Sequence, residues 1–205
     1  MKGLLLKDIY VMSKYCKVFG FIILLFLELS LFSEPEMFYV MYPAIIASVI
    51  PVSMISVDEK CKWDVYCDTL PYSRKQMVSS KYLLSLCMTA TVLILSACAQ
   101  MIHVVRGNWN TESYVMCLAF LLVIGLVGPA VLLLFIFKMG AEKGRVVYLA
   151  VIAGLAACGS GIALGEEIQG KVNVAWLLPG CCIISVLLFA ASWMISIKLY
   201  EKREL

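Results

Sequence analysis

The chain has 205 residues, 62% of them hydrophobic and only 15% charged, with a formal net charge of +3 and a mean hydropathy of +0.94. A soluble domain is about 45–50% apolar and about 25% charged, and a chain of this length cannot enclose a core large enough for the excess. The composition excludes an ordinary soluble enzyme or a nucleic-acid binder and points to lipid as the solvent.

The first 17 residues are too polar to cross a bilayer. Leu5, Ile9, Met12 and Cys16 recur at helical spacing, with Lys7, Lys14 and Lys17 opposite and Lys2 at the start. This predicts an amphipathic helix over residues 1–17, lying in the inner interface with its Lys heads among anionic headgroups. A spanning helix needs about 20 mostly apolar residues for roughly 30 Å of hydrocarbon. Six stretches meet that need: Val18–Ser33, Met37–Val57, Tyr82–Val105, Tyr114–Phe137, Val146–Gly165 and Val174–Ile197. The first is short, and is expected to borrow residues from the helix before it. Glu28 and the bulky Leu31-Phe32 follow its apolar run, so no secretory cleavage site is expected there.

Residues 58–81 form the longest polar stretch. Ser56-Val57-Asp58-Glu59 has the pattern of a capping box opening a short helix that contains Trp63. Ser73-Arg74-Lys75-Gln76 has the same pattern, with Tyr72 and Met77 placed as a hydrophobic staple. Leu70-Pro71 breaks the chain between them. The third span is therefore expected to start near Arg74, before the membrane, and to run to about His103. The connection 138–145, with Gly140 and Gly144, reads as a tight turn.

Of the 17 basic residues, all but Arg106 and Lys171 fall before the first span, between spans two and three or four and five, or after the sixth. Basic residues stay on the cytoplasmic side, so both termini and residues 58–81 are expected to be cytoplasmic. Of the nine cysteines, six lie in predicted spans and Cys16, Cys61 and Cys67 lie on the reducing side, so no disulfide framework or metal site is expected.

Four features within the spans are candidates for a cavity or gate. Glu28 is an acidic residue in an apolar run, and such carboxylates are costly. Pro43, Pro51 and Pro129 each remove a helix hydrogen bond and permit a kink, as does Pro179. Gly125, Gly128 and Pro129 together make the fourth span a bending point. His103 is expected to snorkel to the outer surface.

The chain has no phosphate-binding loop of the G-x-x-x-x-G-K-[ST] type, so no ATPase activity of its own is expected. Glu166-Glu167 with Lys171 is similar to the Glu-Glu-x-x-x-Arg signature of membrane-embedded CAAX-type proteases. Lys171 replaces the Arg, and one histidine is too few for that chemistry.

Asp58-Glu59-Lys60-Cys61-Lys62-Trp63-Asp64, followed by Leu70-Pro71-Tyr72-Ser73-Arg74-Lys75-Gln76-Met77-Val78 and Lys81-Tyr82, resembles the membrane subunit of type-2 ATP-binding-cassette (ABC) exporters. The opening Met1-Lys2-Gly3-Leu4-Leu5-Leu6-Lys7-Asp8 resembles the amphipathic start of that family. Within it, the bacterial permeases that export phenol-soluble modulins look most similar.

The resemblance implies an all-α fold in one transmembrane domain over residues 1–205, with six spans, an N-terminal interfacial helix and a cytoplasmic coupling helix at Trp63. It implies that Asp58, Glu59, Lys60, Trp63, Asp64, Leu70, Pro71, Ser73, Arg74 and Lys75 seat on or flank a separate cytoplasmic ATPase, which binds the ATP and Mg. It also implies a second permease copy, a bacterial cytoplasmic membrane, and an amphipathic peptide or lipid-like cargo leaving the cell. A membrane anchor or immunity factor that recruits an ATPase without transporting is the alternative.

Overall fold

The computed structural model describes residues 2–32, 37–67, 73–107, 111–140, 146 and 174–201. Seven helices organise them: α1 (Lys2–Tyr15), α2 (Lys17–Phe32), α3 (Met37–Lys60), α4 (Trp63–Cys67), α5 (Arg74–Val105), α6 (Thr111–Met139) and α7 (Val174–Glu201). No strand occurs among the described residues. Helices α3, α5, α6 and α7 are long and apolar enough to cross a membrane, and the bent pair α1–α2 gives a fifth candidate. The expected span Val146–Gly165 lies outside the described residues, Val146 excepted.

Helix lengths follow from rise per residue. The 32 residues of α5 extend about 48 Å at about 1.5 Å each, well beyond a hydrocarbon layer of roughly 30 Å. One end of α5 therefore projects from the lipid. The 16 residues of α2 reach only about 24 Å. It meets α1 at Cys16 with a bend of 72°, and the two helices qualify as a candidate span only as that bent pair. The bend turns α1 across the bundle, where it touches α2, α3 and α5.

The buried face of α1 differs from the expected one. Leu4, Asp8 and Cys16 are buried, whereas Ile9 is exposed. Lys7 does not point away from the bundle but turns inward. Lys14 is exposed and Leu5 and Met12 are half-buried. Two tertiary contacts of Lys7, with Asp58 and with the Trp63 ring, pull the helix round.

Helix α6 packs along α7 and α3, while α5 lies against α3, α6 and α7 and also meets α2. Two apolar clusters fill the bundle. One joins Ile55 of α3, Val78 and Tyr82 of α5, Leu133 and Ile136 of α6 and Phe189 of α7. The other joins Leu27 of α2, Ile50 of α3, Val92 of α5 and Leu121 of α6.

Ser56-Val57-Asp58-Glu59 does not start a helix. Helix α3 runs through it to Lys60, and the amide of Cys61 still donates to the carbonyl of Val57 at 3.0 Å. These residue types tolerate a helix interior when the preceding turns are already formed. The chain turns at Lys62, whose φ of 51° is left-handed backbone and uncommon for a residue with a Cβ. Gly107 (φ 77°) and Gly140 (φ 88°) end α5 and α6 in the same region, where glycine meets no steric cost.

Candidate coupling site

The start of α5 is fixed by its own sequence. Ser73 has extended backbone (φ −80°, ψ 148°) and its hydroxyl accepts from the amide of Gln76, while the Gln76 side chain accepts from the amide of Ser73. Two free amides are thereby satisfied. The next two turns carry Met77, Lys81 and Tyr82 into the bundle.

Lys81 is 8% exposed and Asp8 and Asp58 are 1% and 7% exposed. The Lys81 ammonium donates to Asp8 Oδ1 at 2.7 Å and to Asp58 Oδ2 at 2.6 Å. A second ammonium, Lys7 Nζ, donates to Asp58 Oδ1 at 2.8 Å and lies 3.3 Å from Asp8 Oδ1. Two cations thus meet two carboxylates, and the quartet is formally neutral. Neutrality matters, because each ion brought out of water costs several kcal/mol unless it is paired and hydrogen-bonded.

Lys7 also stands over the Trp63 ring, 4.1 Å from its centroid, within range of a cation–π contact. It therefore ties the short helix α4 to the quartet. Trp63 is itself half-buried and tilts against the exposed Tyr66 at 5.5 Å. A small cavity adjoins the quartet, lined by Asp8 and Glu59, by the Trp63 ring and by Phe137 and Tyr200. Asp8 Oδ2 has no hydrogen-bond partner among the described residues.

The neighbouring residue on α5 grips the other side of the bundle. Tyr82 Oη shares hydrogen bonds with Ser192 Oγ at 2.8 Å and Ser196 Oγ at 2.7 Å. Its ring stacks on Trp193 and meets Phe189 edge-on. Ser192 Oγ in turn donates to the carbonyl of Ala130 at 2.6 Å. Two successive residues, Lys81 and Tyr82, thus join α5 to α1 and α3 on one side and to α6 and α7 on the other. Lys7 and Asp58 connect the Trp63 ring of α4 to Lys81 of α5 through side-chain contacts.

The structure brings Asp58, Glu59 and Trp63 of the expected coupling set together with Lys7 of the expected interfacial helix, while Ser73, Arg74 and Lys75 form the capped first turn of α5. Leu70, Pro71 and Tyr72, with its expected staple to Met77, lie outside the described residues, as does the side chain of Asp64. Lys60 is exposed at the end of α3. Glu28 is exposed on α2, far along the sequence from the quartet. Pro43 and Pro51 are buried within α3 and Pro129 within α6.

Sequence reasoning left out Asp8 and Lys81 as site residues. Each carried a signal. Asp8 shares a helical stripe with Leu4 and Met12, and Lys81 shares one with Met77 and Leu84. An ionisable residue in an apolar stripe implies a buried partner. His103 also departs from expectation: it is 2% exposed and its Nε2 lies 2.6 Å from the carbonyl oxygen of Ser30. A local backbone acceptor on α2 makes snorkelling unnecessary.

Several helices long and apolar enough to cross a membrane, three of the described helices being tied by a buried charge quartet, define a polytopic membrane protein. The model of the family described as ABC-2 family transporter protein matches residues 3–201. The chain belongs to that family, and is a permease subunit of an ABC transporter. Permeases of this family typically work with an ATPase subunit. No curated protein and no solved structure matches the chain.

Proposed function

We propose that this chain is the membrane-spanning half of an exporter, moved by a separate cytoplasmic ATPase that docks at α4 and the residues flanking it. The observation that carries the reading is the chain of contacts from Trp63 through Lys7 and Asp58 to Lys81. A five-residue helix is too short to be stable alone. This one is instead held by a cation and presents Tyr66 outward, with Cys61 exposed in the turn just before it. Such a segment suits seating in a groove of a partner.

In this reading the termini and residues 58–81 face the cytoplasm of a bacterial cell, in keeping with the bias of basic residues. ATP and Mg bind to the partner, and Asp58, Glu59, Trp63, Arg74 and Lys75 transmit its closure. A second copy of the permease completes the passage. The cargo is an amphipathic peptide or a similar amphiphile, which the apolar helices admit from the inner leaflet.

Co-purification from native membranes tests the docking. The chain is expected to bring down an ATPase, and Trp63→Ala is expected to weaken that complex about tenfold or more, as loss of a buried aromatic anchor does. ATP-dependent loss of a labelled amphipathic peptide from reconstituted vesicles tests the export. A stable complex that moves no such cargo would favour the anchor alternative, and failure to capture any ATPase would sink both.

A further inference from the structure

Pro129 lies inside α6. Proline has no N–H, so the carbonyl of Gly125, four residues earlier, loses its helix donor. The proline ring also crowds that carbonyl and turns it outward. A donor reaches it from another helix: Thr89 Oγ1 on α5 donates to the Gly125 carbonyl oxygen at 3.0 Å. The same hydroxyl lies 3.0 Å from the carbonyl of Ser85 on its own helix.

A hydroxyl carries one proton and cannot serve both acceptors fully. Ser85 belongs to the unbroken α5 ladder, where the amide of Thr89 already supplies its carbonyl. Gly125 receives no such amide, because residue 129 is proline. The proton is therefore worth more to Gly125. The approach is close enough to demand glycine: a Cβ at position 125 would stand 2.5 Å from Thr89 Cγ2. One turn on, a Cβ at Gly128 would stand 3.1 Å from Ser48 Cβ on α3. The missing amide, the missing Cβ and the threonine hydroxyl meet at one point.

That point sits between two ends of the bundle. Thr89 follows Lys81 and Tyr82 by about two turns on α5. Pro129 adjoins Ala130, whose carbonyl is bound to α7. The half of α6 after Pro129 lines the cavity beside the quartet through Ile136 and Phe137, and the half before it joins the second apolar cluster through Cys117 and Leu121.

We propose that Thr89 is a positioning residue for transport: its hydroxyl latches the proline kink of α6 to α5. Displacement of α5 at the quartet then carries the far half of α6 with it. The latch stands on geometry alone, whereas its role rests on the transport reading.

A double-mutant cycle in the purified full chain separates the two. Thr89→Val keeps the shape and removes the hydroxyl. It is expected to lower the melting midpoint by roughly 2–4 °C, the shift that loss of one hydrogen bond gives in a chain of this size. Thr89→Ser is expected to retain the midpoint. Pro129→Ala returns an α6 amide to the Gly125 carbonyl, so in that background Thr89→Val is expected to cause no further drop. An equal drop in both backgrounds would reduce Thr89 to packing and overturn the proposal. In the reconstituted complex, Thr89→Val is expected to cut export per ATP hydrolysed about fivefold, the low end of coupling between sites, with Thr89→Ser restoring it. Unchanged export per ATP in a folded Thr89→Val complex would also overturn the proposal. A wild-type chain that exports nothing would sink the transport reading, and the melting cycle would still decide the latch.

Discussion

The two ends of α5 hold polar side chains in different ways. At one end Lys81 and Lys7 meet Asp8 and Asp58 in charged contacts of 2.6–2.8 Å. At the other, His103 Nε2 contacts the backbone carbonyl of Ser30, and Gln100 reaches the sulfur of Cys117 at 3.6 Å. His103 Nδ1 and Gln100 Oε1 have no partner among the described residues. The first end cannot move without separating buried charges. Movement at the second breaks hydrogen bonds but no ion pair among the described residues. The difference makes α5 a lever gripped at Lys81 and loosely guided at His103.

Lys81→Met removes one cation and leaves two buried carboxylates with only Lys7 between them. It is expected to destabilise the chain by about 3–5 kcal/mol, the usual cost of breaking a buried pair, read as a lowered melting midpoint in detergent. Lys81→Arg is expected to recover most of that loss. Ser73→Ala removes the cap and is expected to cost about 1 kcal/mol. Hydrogen exchange should show the first turn of α5 fraying while the rest stays protected. His103→Leu is expected to cost only about 0.6 kcal/mol, the average for a polar contact between helices in a membrane. A melting shift for His103→Leu as large as that for Lys81→Met would erase the distinction between the two ends.

Much of this architecture was legible in the sequence for a physical reason. Apolar stretches of about 20 residues have few alternatives to a spanning helix, and the bounds of α3, α5, α6 and α7 lie within a few residues of those expected, counting the early start of α5. The Ser73–Gln76 cap was legible because its partners are three residues apart. The Ser56–Glu59 signal failed because the same residues also fit a helix already under way, and the stop falls at Lys62, whose type gives no hint of left-handed backbone. The quartet was legible only by half. Periodicity places Asp8 and Lys81 on buried faces, but it cannot pair residues so far apart in the chain. The face of α1 was misjudged for the same reason: Asp58 and Trp63 draw Lys7 inward, and neither lies near it in sequence.

Lys7 joins the Trp63 ring of α4 to the quartet, and it is partly exposed, with a side-chain exposure of 22%. Lys7→Met is therefore expected to fold. The most direct test measures ATP hydrolysis and export together in a reconstituted complex carrying Lys7→Met. Hydrolysis is expected to continue while export falls away, because the charged link from the docked segment to Lys81 is lost and only apolar packing remains. Export at the wild-type level in that complex would contradict this expectation.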